Sequence, residues 1–144
     1  MTVPTTANAQ ATFCATLVDY ARWGALLAND GCRPDTGQQV LPLGYLRDST
    51  DWQKHPLPCR PGIATPLLGY GLHFWTFPDQ PRRFALVGVY GQFIFVAPDL
   101  QLVMVQLGAG ADAKNAGTDM ALEAQALWHE IIKLFTIHLH QEAV

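Results

Sequence analysis

Gly88-Val89-Tyr90-Gly91 forms a tight, glycine-bracketed bend at the entry to a hairpin in GVYGQFIFVAPDLQLVMVQLGAG (residues 88–110). A bend of this shape raises the question of whether it lines a catalytic site. Other chemical signals in the chain are weak. His129-Glu130 in WHEIIK resembles the start of a zinc-protease helix, but Lys133 stands where a second histidine must lie to share its face. His129 reads instead as a solvated histidine beside Trp128. His138 and His140 have no third ligand near them in sequence and read as part of a tail. GAGADAKNAG lacks the Gly-Lys-Ser/Thr ending of a phosphate loop, so its glycines read as a turn. Cys14, Cys32 and Cys59 are widely spaced and odd in number. They suggest reduced thiols in a cytoplasmic protein, with neither a disulfide framework nor a zinc site. No cofactor or metal is expected.

The elements that must hold this bend are legible from periodicity. In TLVDYARWGALLANDG, Thr16 and Asp19 form a capping-box variant, and Gly31 sits where a C-terminal glycine cap belongs. Leu17, Tyr20, Ala21, Trp23 and Leu27 give an apolar stripe at helical spacing. Gly24 inside it costs about 1 kcal/mol against alanine, which implies close packing on another element. A short second helix is expected from Pro42 to RDST. Asp51 to Pro66, with Pro56, Pro58 and Pro61 between, reads as a surface loop. Strands are expected in GYGLHFWTF (Gly69 to Phe77), Phe84–Val89, Phe93–Val96 and Leu102–Leu107, with a Pro98-Asp99 turn before the last. Met120, Ala124, Leu127, Trp128, Ile131, Leu134 and Phe135 mark one face of a long closing helix capped by Thr118 or Asp119.

The fold class that follows is α+β: an antiparallel sheet packed with N-terminal helices and a long C-terminal helix, at least one sheet face being covered. Residues 1–12 read as a frayed polar leader, 13–136 as the folded part and 137–144 as a tail. The chain has 144 residues, 49% of them hydrophobic and 15% charged, a globular composition. Its net charge of -3, with no basic run, argues against a nucleic-acid or anionic-membrane partner. No apolar run approaches the ~18 residues of a membrane span, and MTVPTTANAQ has the features of no signal peptide.

FCATLVDYARWGALLANDG, VLP, GYGLHFW, GVYGQFIFVAPDLQLVMV and the closing helix, in this order and spacing, resemble the C-terminal half of the β-lactamase-related serine hydrolases. Class C β-lactamases, carboxylesterases and 6-aminohexanoate-oligomer hydrolases belong to that family. The resemblance covers about Phe13 to Phe135 and implies part of a β-lactamase/transpeptidase-like fold. It also implies three motifs at an active site. Ser-x-x-Lys supplies the nucleophile and its base, and Tyr-x-Asn/Ser supplies a tyrosine for proton transfer. The third motif, on a strand, ends in a glycine; the amide after it holds the oxyanion together with the serine amide. Here the third motif falls on Leu86-Val87-Gly88, with Val89 as oxyanion donor and Tyr90, Gly91 and Gln92 shaping the pocket.

The departures from this pattern are large. Leu86 replaces the usual polar or aromatic residue. Ser49 is the only serine, and Trp52 stands three residues after it. Lys54, Lys114 and Lys133 follow Asp51, Ala111 and Glu130 at that spacing, so no Ser-, Thr- or Cys-x-x-Lys exists. Tyr20, Tyr45, Tyr70 and Tyr90 precede Arg22, Arg47, Leu72 and Gln92 at two residues' spacing, so Tyr-x-Asn/Ser is missing too.

Three readings follow. The first is a C-terminal segment of a serine hydrolase, silent alone and completed by an N-terminal hydrolase segment. The second is a non-catalytic small-molecule-binding or interaction module on the same scaffold. The third is a small α+β domain whose bend is only a hairpin entry. Within the family, N-terminal strands pair with the last strand of this half. The resemblance therefore implies an open edge at Leu102–Leu107, to be met by that segment or by a homodimer.

Overall fold

The computed structural model of the chain describes residues 14–78, 81–110 and 119–142. The leader, the Thr118 cap and Lys114 lie outside them. The first helix, α1 (Leu17–Ala28), starts where Thr16 accepts a hydrogen bond from the Asp19 N–H. It ends in a Schellman arrangement: the Gly31 N–H donates to Leu26 O at 2.9 Å and the Asp30 N–H to Leu27 O at 3.2 Å. The first residue past the cap is thus Asp30 (φ 50°), and the expected glycine, Gly31 (φ 82°), comes one position later. Helix α2 (Tyr45–Thr50) begins three residues after Pro42, because Gly44 at φ 82° occupies its N-cap. The proline-rich loop is ordered around two 3₁₀ turns, Trp52–Lys54 and Leu57–Cys59.

Five strands pair in chain order as an antiparallel meander: β1 (Gly69–Gly71), β2 (Phe74–Thr76), β3 (Phe84–Gly88), β4 (Gln92–Ala97) and β5 (Leu102–Leu107). The single strand expected in GYGLHFWTF is a hairpin instead. Gly71 pairs with Phe74, and the chain reverses through Leu72 (φ 50°) and His73 (φ 70°). Two successive positive φ angles match the twist of a two-residue hairpin turn. Neither residue is a type that advertises one. Pro98–Leu100 form a 3₁₀ turn before β5, and Gln101 (φ 49°) completes the reversal.

Both faces of the sheet are covered. On one, α1 and α2 bury Leu27 and Leu46 against Phe74, Phe84, Ile94 and Val96. Gly24 allows α1 to lie against β5, since a Cβ there would strike Val103 Cγ1. On the other face, the long helix α3 (Asp119–Glu142) buries Ala121, Ala124, Trp128 and Ile132 against Phe77, Ala85, Phe93 and Phe95. Trp128 stacks on Phe95 with 5.5 Å between ring centroids.

The buried face of α3 is therefore rotated from the expected one. Met120, Ala124 and Trp128 keep their role, whereas Leu127, Leu134 and Phe135 are 53%, 65% and 45% exposed. The apolar pattern is wider than the strip one sheet can cover. His129 meets Phe77 edge-on from beyond β2. Leu127 and Leu134 lie on the opposite flank of the helix and are exposed. β4 is buried along most of its length, while β5 is half-buried and forms one edge of the sheet. Among the described residues, no helix is long and apolar enough to cross a membrane.

Candidate functional site

The Gly88–Gly91 bend closes the β3–β4 hairpin. Gly88 pairs with Gln92, and Val89, Tyr90 (φ 63°) and Gly91 (φ 89°) make the connection. The bend is clasped by the segment leaving β5. The Gly108 N–H donates to Gly91 O at 2.8 Å, and the Gly110 N–H donates to Tyr90 O at 2.9 Å. Met120, from the first turn of α3, presses on the clasp. A Cβ at Gly91 would run into its sulfur, and one at Gly108 would lie 2.7 Å from Gly91 O. Close approach requires glycine at both positions, and at Gly91 the positive φ requires it as well.

Beside the bend lies a cleft of about 620 Å³, a volume usual for small-molecule sites. Of the seven residues expected at a site, Leu86, Val87, Gly88 and Gln92 line it. Val89, Tyr90 and Gly91 do not; the Val89 and Tyr90 side chains are 51% and 44% exposed outside it. Six lining residues were not anticipated there: Tyr20 and Trp23 from α1, His73 from the β1–β2 turn, Phe93 and Ile94 of β4, and Leu107 of β5. Only tertiary packing brings Tyr20, Trp23 and His73 to the cleft. The one local signal, helical spacing of Tyr20 and Trp23, reads equally as core.

Among the described residues, no carboxylate, ammonium or guanidinium group lines the cleft. Gln92 is oriented within it. Its Nε2 donates to Gly108 O at 3.2 Å, which turns Oε1 toward Gly88.

The only serine is far from serving this cleft. Ser49 is 1% exposed at the C-terminal end of α2, and its hydroxyl has no hydrogen-bond partner. His55 reaches its backbone, with Nε2 3.0 Å from Ser49 O, while Nδ1 packs on Gly71. The pair is a packing contact and not a nucleophile–base dyad. Among the described residues, no group of three His, Cys, Asp or Glu could hold a metal ion. His129 is exposed, and Lys133 pairs with Glu130 at 2.5 Å. The described lining sets apolar wall and a few polar groups along a strand edge, and none of these residues is an activated nucleophile.

No protein-family model matches the chain. A 30-residue stretch is 57% identical to a glutaminase of Shouchella clausii (strain KSM-K16), covering 21% of this chain and 10% of that protein. The likeness thus spans about a tenth of the length of that curated relative.

Proposed function

We propose that the chain is the C-terminal wall of a β-lactamase-related serine hydrolase, an enzyme class that transfers ester or amide acyl groups to water. The observation that carries this reading is Gly88: it ends β3 opposite Gln92, beside a cleft, where the family's third motif would stand. The Val89 amide is the oxyanion donor in this reading. The likeness to a glutaminase points the same way but covers too little of either chain to carry it. Nucleophile and base come from another polypeptide or a longer chain. The free cysteines suit the reducing cytoplasm.

Two tests apply. The purified chain alone turns over neither a p-nitrophenyl ester nor a chromogenic β-lactam; activity that co-purifies with it at constant specific value refutes the reading. The native species isolated from its own source carries a Ser-x-x-Lys sequence, within the same chain or on a bound one. A native mass equal to this chain or a simple multiple of it excludes catalysis. It leaves the second reading, a binding module, which the nucleophile-free cleft also suits.

The completing segment meets β5. A homodimer pairing two β5 edges about a two-fold axis is the alternative.

A further inference from the structure

Met120 bears on the Gly91–Gly108 clasp from outside the hairpin. It is the second residue of α3 and is partly buried, packed on the core that α3 shares with the sheet. Its sulfur lies over both clasp glycines: a Cβ at Gly91 would run into it, and one at Gly108 would come within 2.8 Å of it. A slim, unbranched, apolar group fits between helix and bend, and a thioether is such a group.

A thioether is also oxidisable. A sulfur lone pair takes the outer oxygen of a hydroperoxide and the O–O bond breaks. The proton of that oxygen passes to the departing one, which leaves as water or an alcohol. The sulfur has lost two electrons and is now a polar sulfoxide. Its oxygen needs a hydrogen-bond donor or water. The N–H groups of Gly108 and Gly110 are already given to Gly91 O and Tyr90 O. The sulfoxide therefore either takes a donor from the clasp or carries the sulfur off its seat into solvent. We infer that Met120 is an oxidation site, and that its conversion to the sulfoxide loosens the Gly88–Gly91 bend from α3 and from the segment after β5. The inference concerns the bend whatever its role. Within the hydrolase reading, on which only this last consequence rests, oxidation unsettles the Val89 amide.

The test treats the folded chain with hydrogen peroxide, locates added oxygen by mass spectrometry of its peptides, and follows amide exchange by NMR before and after. The expected result is one oxygen gained at Met120 and exchange of the Gly108 and Gly110 amides faster by about tenfold. Methionine sulfoxide reductases for both epimers, with a dithiol as reductant, should reverse both changes. In Met120→Leu, which conserves volume and has no sulfur, peroxide should leave that exchange unchanged. In Met104→Leu it should respond as in the native chain. If Met120 stays unoxidised while a methionine peptide in the same tube is converted, the inference is overturned. Oxidation without faster exchange overturns it too, as does faster exchange that persists in Met120→Leu. None of these outcomes bears on the hydrolase reading, which the turnover and native-mass experiments test separately.

Discussion

Gly24 of α1 lies directly against Val103 of β5, with no room for a methyl group between helix and strand. Gly24→Ala gains about 1 kcal/mol of helix propensity and incurs an overpacking cost of about 1–3 kcal/mol. Ile94 Cγ2, 3.2 Å from the same point, blocks the obvious relief. The expected net effect is a destabilisation of about 1 kcal/mol, read as a lower urea midpoint at unchanged slope.

Asp30 ties three elements together. From just beyond α1 its carboxylate accepts from Arg82 Nη2 at 2.5 Å and from Arg47 Nε at 2.8 Å. Arg82 also donates to the buried Thr50 hydroxyl and is only 18% exposed. Asp30→Ala strands a largely buried guanidinium and places alanine at positive φ. A loss of about 2–3 kcal/mol is expected. Asp30→Asn, which tolerates that backbone better, should lose less. Denaturant unfolding of both variants checks the order.

Leu72 occupies a left-handed conformation at φ 50° and is 58% exposed, so it is strained with little packing in return. Leu72→Asn keeps the turn and eases the backbone, raising stability by about 0.5–1 kcal/mol. A thermal scan showing a lower Tm would contradict the turn described.

At the start of α1, the Thr16 hydroxyl donates to Asp19 Oδ2 at 2.7 Å. This bond, with help from Arg22, holds the Asp19 carboxyl below the usual aspartate range. A depressed carboxyl contributes stability above its unfolded pKa and loses it as pH falls through the folded value. In Thr16→Ala the Asp19 titration, followed by carboxyl ¹³C NMR, should move up toward the usual range. The fall in stability on acidification should become shallower.

The start of α1, the tight approach at Gly24 and strands β3 to β5 were legible because each is written locally, in a cap, a glycine or an alternation. The Leu72-His73 turn was not. Its residues lack any turn preference, and the pairing of Gly69–Gly71 with Phe74–Thr76 imposes it. On α3 the expected face includes Ala124 and Trp128 but misses Ala121 and Ile132, which the sheet also buries, because an apolar pattern wider than one stripe does not fix the rotation of the helix. The same limit applies to the site. Leu86, Gly88 and Gln92 were legible because they flank a glycine bend on one hairpin. Trp23 and His73 reach the cleft from distant parts of the chain, and no spacing rule connects them.

Pairing strictly in chain order has a kinetic consequence. Each strand of the meander closes on its sequence neighbour, so assembly needs only short loops and should be fast. Among the described residues β5 pairs on one side only. Its other edge is therefore open as soon as β4 and β5 close, and speed of folding does nothing to shield an open edge from pairing with another chain.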